Sequence, residues 1–349
     1  MINLIKKGAN RYKANLHCHS NISDGALTPE QLKEAYKSNG NSILAITDHE
    51  APFSHNELTD DEFLMLTGYE VYIRPDPQGR YNMYKPEVHI NLIARDKDNT
   101  DYVGYNESYC RYVKDPAVRA AFNKVGTTRQ REYTVEYINE FLKSANECGF
   151  LCTHNHAYWS LEDYEMVSKY EGCFSMELCN YSSYVTNRLE YNAPLYDRLL
   201  REGKRIFCHS ADDNHNKAPI GSKLSDSFGG YAVVMADKLE YSSVIDALEK
   251  GEFYSSMGPE ILELTVEGNK VHVETSPAKQ ITMLFGAKRT QRAVAEDGET
   301  VTSADFEIDE RAPFIRISVY DHEGRYADTR GYFRDELESE LSKVVKEDK

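Results

Sequence analysis

Residues 13–256 alternate between two patterns of hydrophobic and polar positions. Short, almost continuous apolar runs are typical of buried strands. Between them, apolar residues recur every three or four positions, which is typical of amphipathic helices. The predicted strands are 13–19, 42–49, 63–73, 87–94, 150–156, 173–180, 205–210 and 231–236. The repeated strand–helix order predicts an α/β fold with a parallel barrel or a doubly wound sheet.

Helix boundary signals support this pattern. Thr28 followed by Pro29 predicts the start of the first helix, because threonine caps helix N-termini and proline suits the first helical position. Further helices are predicted over 131–148, 191–202 and 242–250. Each predicted helix is followed by a glycine suited to a C-terminal cap, namely Gly40, Gly149, Gly203 and Gly251.

Two regions interrupt the alternation. Residues 95–130 form a long polar connection, and loops of that length are usually functional. After Pro259 short strands follow one another at 261–266, 270–274, 280–285, 314–320 and 329–333. We therefore expect three parts: residues 1–258 with the 95–130 insertion as a candidate lid, a small β-sandwich-like domain at 259–334, and a charged helical tail at 335–349.

Composition narrows the class of protein. No apolar run is long enough to cross a membrane, and the N-terminus lacks the apolar core of a secretory signal. Seven cysteines without dense spacing favour free thiols in the cytoplasm. A net charge of −16 disfavours non-specific binding to long nucleic acids.

Candidate metal ligands lie in or just after most of the predicted strands. His17 and His19 share one face of the first strand, because side chains alternate along a strand. Catalytic residues of parallel barrels collect at the C-terminal ends of the strands. The other candidates are Asp24, His49, Glu70, His89, His154, His156, Asp213 and His215.

Six motifs among these residues resemble those of the PHP (polymerase and histidinol phosphatase) superfamily of metal-dependent phosphoesterases. They are Leu16-His17-Cys18-His19-Ser20, Ser23-Asp24-Gly25, Thr28-Pro29-Glu30, Thr47-Asp48-His49, Gly68-Tyr69-Glu70 and Asp213-Asn214-His215. The resemblance covers roughly residues 13–258. It implies a distorted (β/α)7 TIM-like barrel with a trinuclear metal centre.

The family pattern, carried over residue by residue, implies three metal positions. The first would be bound by His17, His19 and Asp213, with Glu70 bridging to the second. The second would be completed by His89 and His156, and the third would be bound by Asp24, His49 and His215.

The ligand from the fifth predicted strand stays open. The run Asn155-His156-Ala157-Tyr158-Trp159-Ser160 resembles the family's Asn-His-Pro-x-Trp-Ser, which favours His156 although Ala157 replaces the proline. His154 has the same strand parity as His156, so alternation cannot exclude it. A structural zinc site formed by Cys148, Cys152 and these two histidines is a further alternative.

The resemblance implies hydrolysis of a phosphate ester by a metal-bridging hydroxide. Three divalent ions and three carboxylates would leave a local charge of about +3, which suits a phosphate on an acidic protein. Mixed histidine and carboxylate ligands suit Zn, Mn or Fe. If His156 is the ligand, His154 is a candidate proton donor to the leaving group.

The insertion is the candidate substrate-binding segment. It carries Arg111, Lys114 and Arg119, and Tyr102, Tyr105, Tyr109 and Tyr112 recur there at helical spacing. Cations and rings together would suit a small phosphorylated substrate such as a nucleotide or short oligonucleotide. The alternative is that the tyrosines pack on the main domain and the charges face solvent.

Two other functions stay open. Histidinol phosphatase is the second activity that the resemblance implies, and the third possibility is a metal-stabilised binding module without turnover. Some polar residues lie outside the ligand pattern. We expect His55, His272 and His322 to face solvent, His209 to be a hydrogen-bonded core residue, and Glu177, Asn180 and Ser210 to line the pocket or to have structural roles.

Overall fold

A computed structural model describes residues 1–127 and 129–347, and the side chains of 343–347 are not considered. The strands are β1 (Ile2–Ile5), β2 (Tyr12–Asn15), β3 (Ile43–Ile46), β4 (Leu64–Ile73), β5 (Val88–Ala94), β6 (Tyr102–Val103), β7 (Lys124–Val125), β8 (Phe150–His154), β9 (Cys173–Asn180), β10 (Phe207–Ala211), β11 (Tyr231–Val234), β12 (Phe253–Ser256), β13 (Ile261–Glu267), β14 (Lys270–Ala278), β15 (Gln280–Leu284), β16 (Gln291–Val294), β17 (Val301–Glu307), β18 (Phe314–Tyr320), β19 (Tyr326–Asp328) and β20 (Tyr332–Phe333). The helices are α1 (Pro29–Ser38), α2 (Pro116–Ala121), α3 (Val135–Glu147), α4 (Tyr164–Val167), α5 (Tyr181–Asn187), α6 (Ala193–Arg201), α7 (Tyr241–Lys250) and α8 (Arg334–Glu347), with a 3-10 helix at Asn56–Leu58.

Most strands belong to one large mixed sheet. Its strand order is β10-β9-β8-β5-β4-β3-β2-β11-β12-β19-β18-β15-β16, and β20 pairs with β18. Strands β2, β3 and β4 are parallel, as are β8, β9 and β10. The α/β class is confirmed.

The predicted barrel is not confirmed, because the hydrogen-bonded ladder does not close within the described residues. Its ends are β10 and β16. Beyond the end of β10, the Asp213 N–H donates to the His17 carbonyl over 2.9 Å and the His19 N–H donates to the Asn214 carbonyl over 3.1 Å. These bonds hold the chain after β10 against the chain after β2.

Strand β5 runs antiparallel to both neighbours, β4 and β8, so the expected all-parallel arrangement is also wrong. Residues 74–87 connect β4 to β5 without a helix. A parallel neighbour would need a crossover connection, whereas a loop returns the chain antiparallel. The start of β5 therefore lies at the same edge of the sheet as the end of β4.

The structure confirms the caps predicted for the start of α1 and the end of α7. The Thr28 side chain accepts from the Gln31 N–H, and the Gln31 side chain accepts from the Thr28 N–H, which is a capping box. Gly251 ends α7 in the left-handed conformation with φ 68°. Leu32 and Tyr36 of α1 are buried against the sheet, as its amphipathic pattern predicted.

Strands after residue 258 form a second core. Strands β1, β13, β14 and β17 make a four-stranded sheet whose side chains pack on those of β15 and β18. Strand β1 belongs to this sheet although it begins the chain, and β12 pairs with β19 across the predicted boundary. The domain limits stay a prediction.

The insertion at 95–130 contains β6, β7 and α2 rather than a helix bearing the four tyrosines. Tyr102 is buried in the main core, and Tyr109 is buried with its ring against Tyr72. Residues 334–347 form α8, and residues 348 and 349 of the predicted tail lie outside the described residues, as does Thr128 of the insertion. Within the described part of the chain, no helix has the length and apolar character that crossing a membrane requires.

Candidate metal centre

Six histidines and three carboxylates converge at one edge of the large sheet. Most of them follow the C-terminal ends of strands, so several elements contribute side chains to one place. They are His17 and His19 after β2, Asp24 in the next loop, His49 after β3, Glu70 on β4, His89 on β5, His156 after β8, and Asp213 and His215 after β10. The structure brings together all nine residues that the sequence analysis assigned to metal positions; their role as ligands stays a prediction.

His89 reaches this edge because β5 is reversed. It is the second residue of β5, and the start of that strand lies beside the C-terminal half of β4. Had β5 run parallel to its neighbours, the same residue would lie at the opposite edge.

Glu70 lies at the centre of the cluster. Its Oε1 is 3.3 Å from His17 Nε2, 3.0 Å from His89 Nδ1 and 3.4 Å from His156 Nε2. Its Oε2 is 2.8 Å from His49 Nδ1. A carboxylate with histidines on both oxygens can bridge two cations.

A second group forms where the chains after β2 and β10 meet. His17 Nε2 lies 3.2 Å from His19 Nε2, and Asp213 Oδ1 is 3.1 Å from the first nitrogen and 2.9 Å from the second. All three residues are buried. This grouping is the one expected for the first metal position.

The third group lies nearer to solvent. Asp24 Oδ1 is 3.9 Å from His19 Nδ1 and 3.4 Å from His215 Nε2, and Asp24 Oδ2 is 3.9 Å from His49 Nε2. His19 faces this group as well as the second. We expected His89 and His156 to complete one metal position together. In the structure His89 groups with His49 and Glu70, whereas His156 groups with His17 and Glu70.

The donor atoms fit divalent cations. Among the described residues, the buried oxygens Glu70 Oε2 and Asp213 Oδ1 have no hydrogen-bond partner. They lie close to imidazole nitrogens, yet not in hydrogen-bond geometry. Carboxylate and imidazole donors aimed at shared points are what Zn, Mn and Fe take as ligands. Each unpaired buried oxygen would otherwise leave its desolvation uncompensated.

The pKa shifts of Glu70 and His19 also suit metal binding. Burial raises the pKa of Glu70, but His89, His17 and His49 outweigh it, so the pKa lies well below the usual value. For His19, burial and the neighbouring His49 and His215 lower the pKa to about 4. The Glu70 carboxylate is thus held ionised and the His19 imidazole neutral, the forms that bind metals. At His17, His49, His89 and His156 burial lowers the pKa, but neighbouring carboxylates outweigh it and raise the pKa, so a bound cation would displace protons there.

The structure separates His154 from His156. Strand β8 ends at His154, whose Nε2 pairs with the buried Glu162 over 2.7 Å and whose ring lies edge-on to Tyr170. His156 follows with a positive φ of 25°, and its Nδ1 lies 2.9 Å from Ser160 Oγ. Its Nε2 is thereby free to face the cluster. The structure does not bring His154 into the cluster, and among the described residues no cysteine joins a candidate metal group.

Glu177 is the residue whose role sequence reasoning left undecided. Its Oε1 lies 2.6 Å from His17 Nδ1, while its Oε2 accepts from the His156 N–H and from Asn180 Nδ2, both over 2.9 Å. Asn180 Nδ2 also donates to Asp213 Oδ2 over 3.1 Å. One buried carboxylate therefore orients candidate ligands from three elements. Its signal in the sequence is a lone acid in the apolar run of β9.

The remaining histidines fall into two classes. His209 is buried and its Nδ1 lies 2.8 Å from Ser175 Oγ, as expected for a core residue. His272 and His322 are partly or fully exposed, also as expected. The expectation for His55 is wrong: it is only 8% exposed, because it packs in the loop before the 3-10 helix.

A cavity of about 400 Å³ opens above the cluster. Of the three predicted substrate-binding residues, Arg111 lines it. Lys114 lines a shallower surface cavity, and the guanidinium of Arg119 pairs with Glu107 and donates to the Val113 carbonyl. Arg74, which sequence reasoning missed, also lines the cavity above the cluster.

Solved structures similar to this chain include a two-domain protein from Bacteroides vulgatus that contains a predicted PHP-like metal-dependent phosphoesterase. It is 13% identical, with a TM-score of 0.45 and coverage of 93% of this chain and 87% of that chain. An amidohydrolase from Chromobacterium violaceum with bound sulfate and no metal is 17% identical, with a TM-score of 0.36 and coverage of 58% of this chain and 87% of that chain. Likenesses at these TM-scores carry no functional assignment.

No protein of curated function matches the chain. The family model of the PHP domain matches residues 15–150, a segment that contains six of the nine clustered residues. The resemblance noted in the sequence motifs is thus confirmed over residues 15–150, where the chain matches the PHP-domain model.

Proposed function

We propose that the chain is a metal-dependent hydrolase of phosphate esters. The observation that carries this proposal is the convergence of nine histidine and carboxylate side chains, seven of which line an open cavity. Cationic side chains on the wall of the same cavity suit an anionic substrate.

The proposal assigns the cluster to three divalent ions. His17, His19 and Asp213 would hold the first, and Asp24, His49 and His215 the third. Glu70 would bridge toward the second, which His89 and His156 complete. Bound divalent ions would polarise the phosphoryl oxygens and make water a nucleophile at neutral pH.

The chain's own residues would position the substrate. Ser182, Ser183 and Thr186 place hydroxyl groups on one wall, where they can donate to phosphoryl oxygens. Tyr112 stacks on His49 and donates to Asp24 Oδ2 over 3.2 Å, which holds that carboxylate toward the cluster. With His154 paired elsewhere, we assign the leaving-group proton to solvent in the cavity.

The substrate we propose is small and phosphorylated. A cavity of about 400 Å³ accommodates a nucleotide-sized molecule. Tyr81 and Trp159 are partly exposed aromatic side chains on its wall, and such rings can stack on a base. The substrate class therefore includes nucleotides and short oligonucleotides.

The test is phosphate release by the purified full-length chain, with and without added Zn, Mn or Fe. We expect release that a chelator abolishes and that metal restores. His17→Ala should lose bound metal and activity together. His322→Ala, the same substitution at an exposed histidine, should keep both.

Full activity of His17→Ala would overturn the proposal. Metal content below two ions per chain, with no release from any phosphate ester, would instead favour a metal-stabilised binding module.

A further inference from the structure

Two arginines from different segments lie on the wall of the cavity above the metal centre. Arg74 follows β4, and Arg111 belongs to the insertion. Arg74 Nη1 donates to the Gly79 carbonyl and Arg111 Nη2 donates to the Gln78 carbonyl, each over 2.9 Å. Because these carbonyls are consecutive along the chain, the loop at 76–80 holds both guanidinium groups on the same stretch of wall.

This loop is itself held in place by the insertion. Gln130 Nε2 donates to the Pro77 carbonyl over 3.0 Å, and the Tyr109 hydroxyl donates to the Asp76 carbonyl over 3.4 Å. The Arg111 Nε–H donates to the Ser108 carbonyl over 3.1 Å. The two guanidinium groups are therefore fixed before any ligand arrives, which lowers the entropy cost of binding one.

The pair carries uncompensated positive charge. Among the described residues, Arg111 forms no ion pair, and Arg74 pairs with Glu87 alone. That carboxylate is shared, because its other oxygen lies 3.6 Å from His89 Nε2. Two positively charged guanidinium groups thus line the cavity, and only one described carboxylate, which Arg74 shares with His89, partly neutralises them.

Each guanidinium group also keeps free hydrogen-bonding capacity. Within the described part of the chain, Arg74 Nη2 and Arg111 Nη1 have no hydrogen-bond partner, and neither is sealed from solvent. Together these two nitrogens can donate charge-assisted hydrogen bonds to one oxyanion. The wall therefore offers an oxyanion site in addition to the metal centre.

The site is close to the metal centre. Tyr112, the residue after Arg111, stacks on His49 with ring centroids 5.7 Å apart, and its hydroxyl reaches Asp24. A single small molecule can therefore meet both the metal centre and the arginine pair.

We infer that Arg74 and Arg111 form a second anion site, and that the substrate is a phosphate ester that carries a second phosphate or carboxylate group. The inference rests on the proposed function, since the first phosphate is the one that the metal centre would bind. Specificity would come from the second group, because the arginine pair would be left without its oxyanion when a singly anionic ester binds.

A matched series of esters tests the preference. Glycerol 3-phosphate has one anionic group, 3-phosphoglycerate adds a carboxylate, and 2,3-bisphosphoglycerate adds both a carboxylate and a phosphate. We expect kcat/KM to be about 10–100-fold higher for the esters with a second anion, the range for charge-assisted hydrogen bonds. Arg111→Gln should reduce this ratio by about tenfold or more, mainly through KM. The control is Arg311→Gln, at an exposed arginine after residue 258 that pairs with Asp309, and it should leave the ratio unchanged.

A binding measurement separates this inference from the proposed function. Trp159 is the single tryptophan of the chain and lines the cavity, so its fluorescence reports occupancy without turnover. On the metal-loaded full-length chain, 3-phosphonopropionate should bind about tenfold or more tightly than propylphosphonate. Arg111→Gln and Arg74→Gln should each reduce that difference.

The outcomes are distinct. Arginine-dependent binding of the phosphonate pair without hydrolysis of any ester supports the anion site and contradicts the proposed function. Hydrolysis of all three esters with equal kcat/KM, or a ratio that Arg111→Gln leaves unchanged, overturns the anion site and leaves the proposed function standing. A higher kcat/KM for 2,3-bisphosphoglycerate than for 3-phosphoglycerate, two esters that share the carboxylate, supports the anion site and indicates that it takes a second phosphate.

Discussion

His156 and His154 differ by two positions in the sequence, yet they lie in different surroundings. Strand alternation ends with β8 at His154, and the positive φ of His156 turns its side chain toward Glu70. His154 remains on the helix side of the sheet, paired with Glu162. Local backbone geometry, rather than strand parity, decides which imidazole joins the cluster.

Substitution of each histidine tests this difference. His156→Ala should reduce bound metal, because the substitution removes a donor beside Glu70. His154→Ala should keep the metal content but lower the free energy of unfolding by about 1–3 kcal/mol, since Glu162 Oε1 loses its partner while Glu162 Oε2 still accepts from the Tyr170 hydroxyl. Metal analysis and urea unfolding distinguish the two. The interpretation fails if His154→Ala loses the metal and His156→Ala keeps it.

Glu177 acts on the cluster through His17, His156 and Asn180. Burial raises the pKa of Glu177, but the neighbouring His17 and His156 outweigh it and keep the pKa below its usual value. An ionised carboxylate that accepts from an imidazole fixes the ring's orientation and makes its other nitrogen a better ligand.

Glu177→Gln tests this positioning role. Metal affinity should fall by about 10–100-fold, the usual effect of removing such a carboxylate. Circular dichroism should stay unchanged, and metal titration gives the affinity. The control is Glu249→Gln, at a carboxylate that pairs with Arg95 away from the cluster. Equal metal affinity in the two variants would show that Glu177 does not position the ligands.

At the scale of elements, the reversed strand β5 determines how His89 joins the cluster. The sequence predicted the strand almost to the residue, yet strand patterns carry no information on direction. The connection at 74–87 contains Pro75, Pro77 and Gly79, which disfavour a crossover helix, and this was the available signal. Helix starts and ends, by contrast, were predictable because caps depend on local residue chemistry.

A buried ion pair between Arg131, which directly follows the insertion, and Glu50 attaches the insertion to the main sheet. Arg131 bonds both oxygens of Glu50 and donates to the carbonyls of Tyr72 and Gly104. Glu50 directly follows His49 and also accepts from the Tyr102 hydroxyl. The sequence pattern placed Arg131 only at the start of the helix predicted over 131–148. Its burial could not be predicted, because its partner lies eighty-one positions away.

Arg131→Met should lower the free energy of unfolding by about 3–5 kcal/mol, because it leaves a buried carboxylate unpaired. Combining it with Glu50→Gln should recover part of that loss, since no buried charge then remains. Arg129→Met, at an exposed arginine two positions earlier, should change stability by about 0.5 kcal/mol or less. Urea unfolding of the four proteins gives the values, and a loss below about 1 kcal/mol for Arg131→Met would contradict the structural role.

For the whole molecule, the candidate site combines residues spread over about two hundred positions. Eight of the nine clustered residues were predictable from motifs, and His89 was predictable from its place on a predicted strand. The lining of the cavity was less predictable: Arg111 was expected, whereas Arg74 was missed and Lys114 and Arg119 lie elsewhere. Which surface cations meet at one cavity depends on how the loops pack, and no periodic pattern encodes this.

Overall charge also depends on the metal. The chain has a net charge of −16, yet the bound ions would make the floor of the cavity positive. Binding of an anionic substrate therefore depends on whether the nine clustered residues bind metal.

Anomalous diffraction from crystals soaked in Zn or Mn, recorded at the absorption edge, tests this claim most directly. Two or more anomalous peaks should lie among His17, Glu70, Asp213 and their neighbours. A surface group of Glu263, His272 and Glu274 serves as an internal reference for weak, exposed binding. Peaks at that surface group alone, or an absence of peaks among the nine residues, would show that the cluster does not bind metal.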